Sequence, residues 1–457
     1  MKTATYATYK SSNARWLGDI PSHWKVKKLK FLATVQPSNV DKKTVEGEEP
    51  VLLCNYTDVY KNEYIDSQLD FMRATATKDE IKKFSVDVGD VIVTKDSETP
   101  HDIAVPACVA EKIEGLLCGY HLTQIKPVDL DGRFLFRLFQ STGFSAQFTV
   151  AANGVTRFGL PQYAIANAFS PVPPIDEQEV IASFLDYKTA QIDALIAKKE
   201  TLLTKLTEKR TALISHAVTK GLDPAVPMKD SGVEWLGEVP EHWDVKRIKY
   251  LTPVKRGASP RPIDDPRYFD EDGEYAWVRI ADVSASERYL EKTTQRLSEI
   301  GQELSVKMNP GGLFLSIAGT VGKPIITKIK CCIHDGFVYF PWLKESIEFL
   351  YYIFSSGQPY LGLGKMGTQL NLNTDTVGSI KIGVPPIDEQ NSIVDYLDKK
   401  TGKIDEQTQK IRKAIDSLLE YRSALITNAV TGKIDVRSFT PPEGEDVEAN
   451  PTCPPLT

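Results

Sequence analysis

The sequence predicts an α+β protein in which two similar mixed domains are joined by two long antiparallel helices, with the halves related by a pseudo-twofold axis and the chain order closed into a circle. Three observations carry this. The hexapeptide PPIDEQ is spelled twice, at 173–178 and 385–390, and each copy opens a stretch with coiled-coil spacing. A second repeat, WLGxxPxHWxVK, occurs near the N-terminus and again just after the first of those stretches. The order is therefore motif, variable region, helix, and then the same three again. Helix one ends beside the second motif, so helix two, its duplicate, should end beside the only other copy, at the N-terminus. Composition is compatible with this plan: of 457 residues, 41% are hydrophobic and 25% charged, ordinary for a multidomain globular protein.

From the N-terminus, MKTATYATYK lacks the apolar core of a signal peptide, and no window approaches the roughly 18 apolar residues of a membrane span. The six cysteines show no CxxC spacing and the six histidines no i, i+4 pair, so neither a metal site nor a disulfide framework is predicted, and a reducing cytoplasm is the expected setting. The segment SNARWLGDIPSHWKVKKLKFL (12–32) returns as SGVEWLGEVPEHWDVKRIKYL (231–251), displaced by 219 residues. Its tryptophans and proline are read first as packing that pins a loop over the helix end, with the histidine as a polar contact. Trp16, Trp24, Trp235 and Trp243 are also the candidates for docking a partner. Lys25, Lys27, Lys28 and Lys30, echoed by Lys246, Arg247 and Lys249, form a basic face.

The variable regions, about 33–172 and 252–384, share little identity but match in pattern. DVGDVIVTKDS (87–97) and NPGGLFLSIAGT (309–320) each read as a turn feeding an apolar strand, and RFLFRLFQSTG (133–143) and EFLYYIFSSGQ (348–358) as corresponding helices. A polar, glycine-containing loop precedes each hexapeptide, NGVTRFGLPQ (153–162) and KMGTQLNLNT (365–374).

In PPIDEQ the two prolines end any preceding ladder, Asp176 or Asp388 suits a helix N-cap, and Glu177 or Glu389 sits near the positive end of the helix dipole. The seam follows a heptad, spaced by four and three until the last step: Ile181, Leu185, Lys188, Ile192, Leu195, Lys199, Leu202, Leu206 and Leu213 in the first copy, Ile393, Leu397, Lys400, Ile404, Gln407, Ile411, Ala414, Leu418 and Leu425 in the second. Gly221 and Gly432 are the expected C-terminal caps. Each helix should run about 45 residues, or about 67 Å at 1.5 Å per residue.

The two WLGxxPxHWxVK motifs, the two PPIDEQ starts, the long helices with RTALISHAVTKG and RSALITNAVTGK, and the circular order together resemble the specificity subunit of type I restriction–modification systems, over nearly the whole chain. The resemblance implies that the variable regions are target recognition domains, each reading one half of a split double-stranded DNA sequence. It implies that the helices set their spacing, and that the partners are two methylation subunits plus restriction subunits acting as an ATP-dependent translocase and endonuclease. S-adenosylmethionine, ATP and magnesium are then expected on those partners, with no cofactor in this chain. Residues 1–172 would be the first motif segment and recognition domain, 173–222 the first long helix, 223–384 the second motif segment and domain, 385–435 the second helix, and 436–457 a disordered acidic, proline-rich tail.

No catalytic site is expected, because the chain holds no Asn-Pro-Pro-Tyr-like tetrapeptide, no GxxxxGK[ST] phosphate loop and no G-x-G-x-x-G turn. For DNA contact the loops supply Thr156, Arg157, Thr368, Gln369, Asn371 and Asn373, since Arg pairs bidentately with guanine and Asn or Gln with adenine. Lys95, Lys323 and Lys365 are the candidate phosphate contacts. Charge argues the other way. Residues 33–170 hold 13 Lys and Arg against 19 Asp and Glu, and 252–384 hold 15 of each, so the isolated chain should bind duplex weakly. The competing reading is a coiled-coil scaffold whose two domains bind protein.

Overall fold

A computed structural model describes residues 4–361, 363 and 372–441 of the 457. The chain divides into two units, Met1–Glu200 with Arg412–Thr457, and Thr201–Ile411. The divisions fall inside the long helices, Ile175–Lys220 and Ile387–Val430, so each helix begins in one unit and ends in the other. The first unit gathers both ends of the chain, as the circular order requires: the backbone N–H of Asp435 donates to the carbonyl of Ala4 at 2.8 Å.

Each unit has a mixed core with the same strand order. In the first, a five-stranded sheet runs Ala33–Pro37, Leu122–Pro127, Val91–Thr94, Pro106–Val109, Tyr64–Ile65. In the second the order is Lys255–Arg256, Phe337–Tyr339, Leu313–Ser316, Pro324–Thr327, Tyr289–Leu290. The last pair is parallel and the others antiparallel in both. A smaller sheet accompanies each, built around a parallel pair, Leu116–Cys118 on Glu49–Cys54 and Cys331–Ile333 on Tyr275–Val278. The strands Val91–Thr94 and Leu313–Ser316 are buried at every position, which is why they read as unbroken apolar runs. Each follows a turn through a left-handed glycine, Gly89 at φ +88° and Gly311 at φ +89°. Helices Gly132–Gln140 and Ile347–Ser355 bury Phe134, Phe136, Phe349 and Phe354.

The two motif copies fold alike. Tyr9–Ser11 pairs with Asp19–Pro21, and Met228–Asp230 with Glu238–Pro240 in the same register. The next strand pairs with the one that leads into the long helix, Lys25–Lys28 with Phe169–Val172 and Asp244–Arg247 with Lys381–Val384.

Every letter of PPIDEQ but the isoleucine now has a reason. The carbonyl of Pro174 accepts the N–H groups of Glu177 and Gln178 at 3.0 Å each, and Pro386 does the same for Glu389 and Gln390, both at 3.0 Å. The helices therefore begin at Ile175 and Ile387, and Asp176 and Asp388 stand in the first turn instead of at the expected cap. The second proline's carbonyl opens the ladder, so no side-chain cap is required there, and the acids still face the positive end of the dipole. Glu177 turns back to the motif: its Oε1 accepts from Trp24 Nε1 at 3.1 Å and from the Tyr6 hydroxyl, and its Oε2 lies 2.8 Å from His23 Nε2. Glu389 repeats this with Trp243 at 3.1 Å and His242 at 2.8 Å. Gln178 donates to Pro173 at 3.0 Å and accepts from the N–H of Asp131 at 2.9 Å, the residue that caps Gly132–Gln140. Gln390 likewise joins Pro385 and Ser346, at 2.9 Å each, and Ser346 caps Ile347–Ser355. The hexapeptide recurs because both units close with the same joint.

The helix ends complete that joint. Gly221 (φ +73°) and Gly432 (φ +70°) are left-handed, as expected of the caps. A Cβ on Gly432 would lie 2.3 Å from Pro21 Cδ and 3.1 Å from Trp24 Cη2. In the first unit the start of one helix thus meets the end of the other, while further along Asp193 is held by Arg422 at 2.9 and 3.0 Å, so the two segments run antiparallel. In the second unit the counterpart is Arg210 with Asp405 at 3.0 Å.

The seam departs from the strict heptad. Thr189, Ile196 and Leu203 turn inward where Lys188, Leu195 and Leu202 were expected, and Leu195 and Leu202 are exposed. In the second helix Thr401 and Thr408 replace Lys400 and Gln407. From Ile181 to Ala217 the inward positions advance 36 residues in ten steps, 3.6 per step. That is the period of a straight α-helix, which drifts away from a 3.5 repeat by about 20° per heptad. At the C-terminal end Val436 is buried and Phe439 packs edge-on against Phe184 at 5.2 Å, so these positions of the expected tail belong to the first unit, while 442–457 lie outside the described residues.

Candidate nucleic-acid interface

Thr156 and Arg157 stand on a tight loop whose base is closed by reciprocal backbone bonds between Asn153 and Gly159, at 3.0 and 2.8 Å. The loop runs into Phe158–Gly159, which pairs with Asp96–Ser97. This pairing brings Arg157 Nη2 to 3.9 Å from Asp96 Oδ2 and 3.5 Å from His121 Nδ1. His121 is bonded to Asp96 and holds φ +73°, a conformation few residues other than glycine adopt. Tyr56 and Tyr60, one turn apart on the helix Tyr56–Lys61, stack with centroids 5.5 Å apart and 16° between planes. The Tyr60 hydroxyl donates to Asp102 at 2.6 Å, and that carboxylate raises the phenol's pKa. These side chains line one cavity of about 670 Å³.

The cavity combines three recognition chemistries. The tyrosine rings are flat apolar faces for a base or sugar. The exposed Arg157 fork matches the guanine edge, and carboxylates such as Asp96 and Asp102 accept from exocyclic amino groups. With Asp96, Glu98 and Asp102 against Lys42 and Arg157, the lining favours base edges over phosphate.

The other expected contacts have different places. Lys95 donates inward to the Ser38 carbonyl at 3.1 Å and stands 4.8 Å over the Tyr120 ring, so its ammonium is engaged within the domain. Lys323 donates to the carbonyls of Ser284 at 3.2 Å and Ser286 at 2.6 Å, at the negative end of the helix Ile280–Ala285, and burial lowers its pKa. Asn373 Oδ1 accepts from the N–H groups of Asp375 and Thr376 at 2.9 Å each, capping Thr374–Ser379. Each of these three, expected as a DNA contact, bonds backbone groups of its own unit. Lys365, Thr368, Gln369 and Asn371 lie outside the described residues. Of the four tryptophans expected to dock a partner, Trp24 and Trp243 are fully buried, Trp16 is exposed and Trp235 half-buried.

Sequence reasoning missed Tyr56, Tyr60, Asp96, Asp102 and His121, and in the second unit a cluster around Asp335. Ser259 Oγ donates to Asp335 Oδ1 at 2.7 Å, Arg261 Nη2 to Oδ2 at 3.0 Å, and Arg256 Nε to its backbone carbonyl at 2.5 Å. The Ser259 bond, with Arg261 and Arg256, holds that carboxyl below the usual range. Asp335 sits between Cys331–Ile333 and Phe337–Tyr339, and Tyr120 and His121 occupy the equivalent connection of the first unit, between Leu116–Cys118 and Leu122–Pro127. No local motif marks either connection; only their matching place in the duplicated strand order does. Among the described residues no group of three or more His, Cys, Asp or Glu is placed to hold a metal ion, and no helix is long and apolar enough to cross a membrane.

The sequence pattern of the type I restriction modification DNA specificity domain matches this chain twice, at residues 21–205 and 240–416. The chain is 24% identical over 450 residues to the putative type I restriction enzyme MjaX specificity subunit of Methanocaldococcus jannaschii, covering 94% of this chain and 98% of that one. It is 22% identical over 283 residues to the type I restriction enzyme EcoKI specificity subunit of Escherichia coli K12, covering 58% of this chain and 57% of that one. Among solved structures it resembles a chain from work on complex assembly and conformational transition of the type I R-M system, with TM-score 0.70, 17% identity, and 90% and 98% of the two chains covered. It also resembles the HsdS subunit from Thermoanaerobacter tengcongensis, with TM-score 0.51, 17% identity, and 91% and 98% covered.

Proposed function

Because the chain belongs to the type I restriction–modification DNA specificity family, we propose that its two units read the two halves of a bipartite DNA target, one each. The chain is a non-catalytic specificity subunit, supplying sequence choice to a restriction–modification system. The bipartite reading rests on one observation. The units share strand order and the Glu–Trp–His joint but differ at the corresponding connection, His121 in one and Asp335 in the other, and in the side chains gathered on it, Asp96 and Arg157 in the first, Ser259, Arg256 and Arg261 in the second. A common frame with different surface chemistry suits two readers of unlike sequence.

On this reading two methylation subunits and the restriction subunits dock on the chain in the cytoplasm, bringing S-adenosylmethionine, ATP and magnesium with them. Adenine methylation requires the base to leave the stack, a step that falls to the methylation subunits. Methylome sequencing of a host with and without this chain, alongside its methylation subunit, tests the proposal: a split adenine-methylated motif should appear only with the chain. Assembly of the complex with no motif would refute it. Lengthening both long helices equally is expected to change the number of bases between the half-sites while leaving both half-sites intact.

Arg157→Ala should relax the preference at one position of one half-site by about 1–3 kcal/mol and leave the other half-site unchanged. Competition binding of the assembled complex to single-base variants measures this.

A further inference from the structure

Most residues shared by the two motif copies have an internal use in both units. Leu17 and Leu236, Trp24 and Trp243, and Leu29 and Ile248 are buried, and His23 and His242 hold the glutamates. Among the shared pairs with no such use, two are adjacent and stand out. Phe31 and Tyr250 occupy equivalent positions and are 66% and 70% exposed. Lys30 and Lys249 stand over those rings at 5.4 and 5.5 Å. A lone exposed aromatic is unremarkable on a protein surface. The same exposure with the same cation above it, in both units, calls for a common cause.

The backbone beneath each ring is placed by the joint already described. Leu29–Phe31 and Ile248–Leu251 follow the strands that pair with the strand entering the long helix. Each ring therefore leaves its unit at the same point of the shared frame. The flanking sequence is basic, with Lys27, Lys28 and Lys30 in one copy and Lys246, Arg247 and Lys249 in the other, of which Lys246 is paired with Asp244 at 2.8 Å, within a chain of net charge −6.

We propose that Phe31 and Tyr250 are equivalent docking anchors, one per unit, for two copies of one protein partner that presents an apolar socket with an acidic rim. On the reading above, on which this inference rests, that partner is the methylation subunit. Side chains that differ between the units suit half-sites that differ; side chains kept between them suit a partner that is the same at both. Duplex phosphate is also the same at both, but phosphate contact uses the lysines and leaves the rings idle. An exposed ring beneath a cation, in a stretch richer in basic than acidic residues, has the make-up of a protein-interface hot spot.

The test is native mass spectrometry and titration of the full-length chain with the methylation subunit. Wild type should bind two copies. Phe31→Ala and Tyr250→Ala should each weaken one of the two by about 30-fold or more, the double variant should weaken both, and Phe31→Leu, which keeps apolar bulk, should lose much less. Both side chains are exposed, so the variants keep the fold. Two copies bound at wild-type strength by the double variant would overturn the inference while leaving the functional reading intact. Loss of DNA affinity with subunit binding unchanged would also overturn it, assigning the patch to the duplex. A wild-type chain that binds no methylation subunit would overturn both.

Discussion

Replacing Arg137 with methionine is expected to destabilise the first unit by about 3–5 kcal/mol. The guanidinium is almost wholly buried and donates in several directions, to Asp186 at 2.9 and 3.3 Å, Glu63 at 3.1 Å, Gln140 at 2.9 Å, Tyr64 at 2.9 Å and Thr189 at 3.0 Å. It ties the helix Gly132–Gln140 to the long helix that carries Asp186 and Thr189. Methionine fills a similar volume, but the buried Asp186 then keeps only Arg133, at 3.8 Å, and the Tyr64 hydroxyl, at 3.3 Å, and the loss of its closest cation dominates the cost. Urea unfolding followed by hydrogen exchange at 132–140 reads it out. A change below about 1 kcal/mol would show that water or a neighbour takes over Asp186.

The same network gives the first unit an acid dependence. Burial alone would raise the pKa of Glu63, but the guanidinium groups of Arg137 and Arg422 outweigh it and hold the carboxyl below its usual range. A depressed carboxylate stabilises the fold above its unfolded pKa of about 4.3, and that contribution fades as pH falls through the lower folded value. Stability of the first unit should therefore decline below about pH 4, and Arg137→Met should flatten the decline, with Arg422 keeping part of it.

Trp24→Ala and Trp243→Ala carry the second large expected effect, about 3–5 kcal/mol each in their own units. Both indoles are fully buried and both donate to the hexapeptide glutamate. Glu177 is only 6% exposed, so Trp24→Ala removes packing and also one donor to a buried carboxylate, although His23 and Tyr6 remain. Trp24→Phe separates the two terms, keeping most of the packing and losing the N–H. Trp16→Ala, at an exposed ring, should cost less than about 1 kcal/mol. Thermal unfolding of the four variants decides the ranking, and equal losses at Trp16 and Trp24 would refute the joint as drawn.

The candidate site was legible only in part. Thr156 and Arg157 were reachable because a polar, glycine-containing loop before a strand stands out in one dimension, and the structure sets both in the cavity. Tyr56, His121 and Asp102 were not, since three separate stretches of chain bring them together through strand pairing and no spacing in sequence records that. Lys95, Lys323 and Asn373 have the composition of DNA contacts, yet their polar atoms answer nearby carbonyl or N–H groups.

By itself the sequence determined the duplication, the circular order, both long helices, the glycine caps and the strand-and-helix pattern common to the variable regions. These are consequences of local chemistry: proline and glycine act on their own backbone, and apolar periodicity reports a helix whatever it packs against. The tertiary structure alone decided which residue of each pair turns inward along the seam, which partner each glutamate and glutamine finds, and which aromatic residues stay exposed. A one-residue change of phase moves a side chain about 100° around the helix at almost no local cost, so only the packed neighbours can select it. The partner of Glu177 likewise depends on bringing Trp24 back across more than a hundred residues, a choice made by the sheet that carries it.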